Sequence, residues 1–294
     1  MRVSFGSWAF SFGPYSAQPV PLEAVAARLS QCGYDGIEIC GFPPHVTLDR
    51  YPNQAGRLGL LRILEDLNLG VSAYVPDFTL ANPTAAGNRQ KYLDLFDRNL
   101  EISVDLGAPC VRVDTVAAPG SILESESGET AARLADLWRE AASRAAKAGV
   151  RVVWEFEPGF VFNKPSEIVE LHARVSHPNF HILFDTCHAF LCGVVGARQQ
   201  GERETLLGGV DEFLHLLSGR IGHIHVADTD GTLYGEETTR HCPCGRGLVD
   251  FTILAPKLRA LPGIEWWCVD LSFWPGNWDL LQPSLEYVRG LLAA

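Results

Sequence analysis

Four short stretches hold the side chains best suited to chemistry. They are Trp154-Glu155-Phe156-Glu157-Pro158, Phe184-Asp185-Thr186-Cys187-His188, His223-Ile224-His225-Val226-Ala227-Asp228 and Cys268-Val269-Asp270. Each closes an apolar run with acids or imidazoles. If the runs are neighbouring parallel strands, ~4.8 Å apart, their polar ends converge on one point. Any one such acid reads more readily as a helix N-cap or a loop carboxylate. Four at the same relative position do not, because a buried acidic cluster without a cation repels itself. Oxygen-rich donors with one nitrogen suit one divalent metal ion, Mn2+ first and Mg2+, Co2+ or Zn2+ as alternatives. Period-two alternation puts Glu155 and Glu157 on one face, so either can be the ligand. His223 and His225 also share a face. His225 is nearer the strand end and is the expected ligand, with His223 a hydrogen-bonded core residue.

The elements that position these residues repeat along the chain. A glycine or turn residue followed by a short apolar run begins at Gly33, Gly70, Gly107, Gly149, Asn179, Arg220 and Gly263, and RVSFGSWAF opens the chain. Helical patterns lie between the runs, as in 21–33, 89–107 and 129–149, each ending in glycine, the usual residue just past a helix. Eight strands alternating with helices predict an α/β fold, a single (β/α)8 barrel domain over residues 1–294. A doubly wound sheet would want a GxGxxG or GxxxxGK[ST] loop, and the chain has neither. The Gly-rich segments 191–204 and 229–248 follow strands and are expected as long loops at the barrel's C-terminal face. Trp8, Phe10, Phe12, Phe160, Trp274 and Trp278 follow strands one, five and eight and offer an apolar wall for a sugar face, although each suits plain packing too. His45, in GFPPHV, reads equally as a pocket residue or a surface loop residue.

Composition narrows the partners. The chain has 294 residues, 47% hydrophobic and 20% charged, with a formal net charge of −11. That balance speaks against nucleic acid, whose binding rests on Lys and Arg neutralising phosphates. No apolar run approaches the ~18 residues of a membrane span, and the first residues lack a signal-peptide layout, so a cytoplasmic location without membrane attachment is the expectation. The eight cysteines include no CxxC pair and read as reduced, mostly buried small hydrophobes.

Three motifs carry a family resemblance. Asp185-Thr186-Cys187-His188-Ala189-Phe190, His225-x-x-Asp228 and Arg240-His241-x-x-x-Gly245-x-Gly247 resemble the xylose isomerase-like barrel superfamily. It contains sugar and sugar phosphate isomerases and epimerases, inosose dehydratases and metal-dependent AP endonucleases. The resemblance implies Glu155, Asp185, His225 and Asp270 as metal ligands. It also implies His188 against substrate or a second metal, and a loop with Arg240 and His241 reaching over the substrate. The endonucleases need further histidines on strands three and four and an Asp where Thr239 stands. Those strands read Ala73-Tyr74-Val75 and Val113-Asp114-Thr115 here, which argues against a DNA-repair nuclease.

The function expected is a divalent-metal-dependent isomerase or epimerase acting on a sugar, keto-sugar or sugar phosphate. Carboxylate-mediated proton transfer would form an enediolate stabilised by the ion. The expected catalytic residues are Glu155, Glu157 and Asp270, and the substrate-binding ones are His188, Arg240, His241 and Trp8. Asp270 stands where the resembling epimerases usually have Glu. The missing methylene favours a ligand-only role and leaves one strong base on the Glu155/Glu157 side. Two alternatives are a metal-dependent lyase or dehydratase on a keto-sugar or inositol-type ketone, and a non-catalytic sugar-binding barrel. The partner is a small sugar, and the resemblance implies a homo-oligomer, dimer or tetramer.

Overall fold

The computed structural model describes residues 1–294. Eight parallel strands close into a barrel: Arg2–Gly6, Gly36–Gly41, Gly70–Pro76, Cys110–Val113, Arg151–Glu155, Phe180–Asp185, Ile221–Val226 and Trp266–Val269. Each pairs with its sequence neighbours and the first pairs with the last. The expected alternation is therefore present. The runs are continuously apolar because one side faces the barrel interior and the other the helical layer.

The helices between them cover the outer face. Glu124–Lys147, the longest, starts a turn earlier than the apolar pattern suggests. Its first turn holds Glu124 and Glu126 and its last turn Arg144 and Lys147, complementing the helix dipole at both ends. Its inner face buries Leu134, Trp138, Ala141 and Ala145, with Trp138 stacked on Phe180 at 5.4 Å. Strand packing is tight where Gly36 lies: a Cβ there would sit 2.4 Å from the Gly70 carbonyl and 2.5 Å from the Trp266 ring.

Three expectations need correction. The first strand stops at Gly6, and Ser7–Phe10 form a 3-10 turn, so the strand is shorter than the opening run RVSFGSWAF. Segment 191–204 is not all loop: after the short helix Thr186–Phe190 the chain widens into a π turn over Leu191–Val195. Segment 229–248 contains a small antiparallel ribbon, Leu233–Tyr234 with Thr238–Thr239.

Asp228 explains the shape of that long segment. It is fully buried, and its Oδ1 accepts the backbone N–H groups of Thr229 and Val249, both at 2.9 Å. Its Oδ2 accepts those of Gly245 at 2.9 Å and Gly247 at 2.8 Å. A Cβ at Gly247 would meet Asp228 Oδ1 at 2.3 Å. Gly245 adopts a positive φ of 78°, in the left-handed region. Both glycines are therefore required by this cradle. The Asp of HxxD and the glycines of GxG are thus one structural unit, distant in sequence. Asp228→Ala leaves four N–H groups without their charged acceptor and should cost about 3–5 kcal/mol. Urea unfolding measures this; a loss under about 1 kcal/mol would mean the loop is held by something else.

Candidate active site

Strand register brings the polar ends together. Asp185 pairs directly with His225, and Glu155 and Asp270 close the ring from the strands on either side. One ligand atom from each of Glu155, Asp185, His225 and Asp270 lies within 4.8 Å of every other, and all four residues are buried. His225 Nδ1 is 2.9 Å from Glu155 Oε1 and 3.8 Å from both Asp185 Oδ2 and Asp270 Oδ2.

The bonding around this ring fixes which atoms face inward. Asp185 Oδ1 accepts the N–H groups of Cys187 and His188, both at 2.7 Å. It thereby caps the short helix that follows. Its Oδ2 is buried with no hydrogen-bond partner. Asp270 Oδ1 accepts three donors: Trp8 Nε1 at 2.9 Å, Ser272 N at 2.8 Å and Ser272 Oγ at 2.7 Å. Only its Oδ2 is left for the ring. Glu155 Oε2 takes an ion pair from Arg112, whose other Nη bonds Asp114 at 2.6 Å.

Glu38 is the residue that sequence reasoning missed. It is fully buried on strand two, and its Oε1 lies 2.9 Å from His225 Nε2 and its Oε2 2.7 Å from His223 Nε2. With the Nε2–H of His225 donated to Glu38, Nδ1 presents its lone pair to the ring. The signal was the acid inside the apolar run that begins at Gly33, GYDGIEI, a run that shows only strand character by itself. His223 is the bonded core histidine expected.

Electrostatics point the same way. Burial opposes ionisation of Glu155, but Arg112 and His225 outweigh it and hold the carboxyl well below its usual range. Asp185 is lowered too, against its burial, by His188 and His241. Burial disfavours charge on His225, yet Glu38 and Glu155 on its two sides push its pKa well above the usual value. His241, against its burial, is raised to about 9 by Asp270 and Asp185. The ring therefore carries excess negative field that draws positive charge.

A divalent cation fits these residues. The buried, unpartnered atoms include Asp185 Oδ2, His225 Nδ1 and both ring nitrogens of His241. Buried polar atoms rarely go unpaired. Three carboxylates and an imidazole aimed at one point supply the donor set such an ion needs.

Above the ring opens a cleft of about 160 Å³. Glu157, His188, His241 and Trp8 line it together with Glu155 and Asp270. Glu157 Oε2 accepts from Thr238 of the small ribbon and lies 3.7 Å from His188 Nε2. His188 Nδ1 is 2.7 Å from Thr239 Oγ1. Trp8 also packs against His225, ring centroids 5.3 Å apart. His241 lies deeper than the overhanging loop residue expected, with Nε2 3.5 Å from Asp270 Oδ2 and 3.7 Å from Asp185 Oδ2.

Arg240 is not brought in. Its side chain is 46% exposed, 3.9 Å from Asp230, with its guanidinium near Trp274, and it is not among the cleft residues. His45 is neither a pocket nor a surface residue: it is fully buried, with Nε2 2.9 Å from the Val20 carbonyl. Of the proposed aromatic wall, Trp8 and Phe12 line the cleft, joined by Phe42 and Phe273. Phe10 instead packs in the core against Trp278 at 4.3 Å.

This fold and site define a class. A profile of the xylose isomerase-like TIM barrel family matches residues 26–289, and the chain belongs to that family. Among solved structures, D-psicose 3-epimerase in the presence of D-fructose superposes with a TM-score of 0.74 at 16% identity, over 100% of both chains. The IolI protein with a bound zinc atom gives 0.72 at 18% identity, covering 99% of this chain and 96% of its own. The probable 3-DHS dehydratase AsbF from Bacillus anthracis gives 0.72 at 15% identity, covering 98% and 99%. A xylose isomerase-like barrel/4-hydroxyphenylpyruvate dioxygenase fusion protein matches at 0.71 and 20% identity, and this chain spans 42% of its length. No curated protein matches the chain by sequence. No helix is long and apolar enough to cross a membrane.

Proposed function

We propose that the protein is a divalent-metal-dependent isomerase or epimerase that moves a proton next to the carbonyl of a sugar or keto-sugar. The observation that carries this reading is the four-residue ring of convergent ligand atoms, with Asp185 Oδ2 and His225 Nδ1 unpartnered, beneath a cleft whose wall offers a separate carboxylate, Glu157. Glu155, Asp185, His225 and Asp270 would hold the ion. The cation, Mn2+ first by donor type, supplies Lewis-acid stabilisation of the negative charge that develops on the substrate oxygens.

The chain's own residues divide the remaining work. Glu157 is the general base, because one oxygen takes only the Thr238 hydroxyl and the other accepts no hydrogen bond within the protein. One Glu155 oxygen is taken by Arg112 and the other faces the ring, where it would hold the ion. His188, fixed by Thr239, stands beside Glu157 and is placed to hold a substrate hydroxyl. Trp8 forms the floor against which a carbon face packs, and its N–H holds Asp270 in place. His241 contacts substrate from beside Asp270.

Asp270 serves as a ligand rather than as a second base, since Trp8 and Ser272 occupy one of its oxygens. Asp270→Asn should therefore weaken metal binding, and excess metal should restore most of the activity. Two-face epimerisation lost in a fully metal-loaded Asp270→Asn variant would instead make Asp270 a proton-transfer group. A single base returns the proton to the face it left. That favours aldose–ketose isomerisation, or an elimination of the kind the dehydratase AsbF is named for, over two-face epimerisation.

The test is solvent exchange. The Mn2+-loaded protein, incubated with a panel of ketoses in D2O, should place deuterium next to the carbonyl of at least one. A chelator should stop the exchange. No exchange into any ketose, keto-inositol or dehydroshikimate-type ketone would leave a sugar-binding barrel as the better reading.

A further inference from the structure

Resting on the proposed proton-transfer reading, we infer that the substrate is an uncharged, monosaccharide-sized keto-polyol and that the cleft rejects its phosphate ester. Three independent features point to this. The first is charge. Arg112 is the only Lys or Arg lining the cleft, and its two Nη groups are committed to Glu155 and Asp114. Each Nη keeps a second N–H, but both are held against carboxylates, and Nε is buried without a partner. Glu155, Glu157, Asp185, Asp270 and Asp114 gather at the cleft and the ring beneath it, and their five charges still outnumber those of Arg112, a protonated His241 and one divalent cation together. A phosphate dianion enters against that field.

The second feature is the apolar part of the cleft lining. Phe12, Phe42, Phe273 and Val75 line it together with the acids. Phe12 packs edge-on to Phe42 at 5.3 Å and stacks on Phe273 at 6.4 Å. Such a surface takes carbon and desolvates a phosphate without replacing its hydrogen bonds.

The third feature concerns helix N-termini, which in barrels of this type cradle phosphates with their free N–H groups. Here the protein's own acids take that place. Asp250 caps Phe251–Arg259, accepting from Thr252 N at 3.0 Å and Ile253 N at 3.4 Å. Helix Asn277–Ala293 has no side-chain cap, but Asp279 adds a negative charge to its first turn. Asp185 takes the first N–H groups after strand six. The cleft volume of about 160 Å³ suits one sugar ring or open chain. Sites for larger, drug-sized ligands are roomier.

Calorimetry on the Mn2+-loaded protein tests the inference apart from catalysis. Hexitols, as inert polyol probes, are compared with the corresponding hexitol 6-phosphates. The expected result is at least tenfold tighter binding of an uncharged hexitol than of its ester, with the ester no tighter at high salt. Equal affinity, no detectable binding of either, or preference for the ester overturns it. Solvent exchange is measured in parallel with ketohexoses and their 6-phosphates. Exchange confined to the esters overturns this inference and leaves the proton-transfer reading intact. Hexitol preference without exchange into any ketose keeps the charge selection and removes the proton-transfer reading.

Discussion

Glu157→Gln should lower kcat by about 10²–10⁴-fold while the affinity for Mn2+ stays within about twofold of the parent. The substitution keeps the shape of the side chain, and its amide oxygen still accepts from the Thr238 hydroxyl. What it removes is the ability to take a proton. The four ring residues are untouched, so metal content separates this outcome from loss of the ion. Turnover measured beside calorimetric metal titration checks it. A variant that keeps more than about a tenth of its rate would move the base to Glu155 or to another group.

The second large effect is expected at Glu38, which lies below the ring and outside the cleft. Glu38→Gln offers one acceptor oxygen where two imidazole N–H groups, from His223 and His225, now each find one. His225 then loses the partner that fixes its orientation and keeps Nδ1 free as a lone pair. Outer partners of metal-bound histidines typically contribute about 10–100-fold in affinity, and a loss of that size is expected for Mn2+. The rate at saturating metal should fall much less. An unchanged Mn2+ affinity in a folded Glu38→Gln protein would show that the barrel alone orients His225.

The strand-end residues were legible because each closes an apolar run, and in a parallel barrel every such run ends at the same rim. Asp185, His225 and Asp270 needed only that topology to be placed near one another. Between Glu155 and Glu157 the period-two pattern was silent, since both point to the same side. The strand stops at Glu155, which enters the ring, while Glu157 in the following loop reaches the cleft wall. Glu38 escaped because its role depends on contacts 185 and 187 residues away, and a lone acid in an apolar strand carries no local mark of its partners.

Loops were read least well, for the same physical reason. The spacing of Trp8, Phe10 and Phe12 resembles a strand, yet Gly6 allows the Trp8 ring to fold back where a Cβ would sit 2.3 Å from it. The ribbon that delivers Thr238 and Thr239 to Glu157 and His188 is set by the Asp228 cradle, not by local propensity. His241 and Arg240 are adjacent in sequence, but the antiparallel bridge between Asp228 and Cys242 turns His241 inward and leaves Arg240 beside Asp230.

One measurement bears most directly on the metal centre. Crystals grown with Mn2+ and measured at the manganese absorption edge should give one anomalous peak per chain. It should lie about 2.0–2.3 Å from oxygens of Glu155, Asp185 and Asp270 and from Nδ1 of His225. No peak there at saturating Mn2+, or a peak held by other residues while this ring stays empty, would contradict the account.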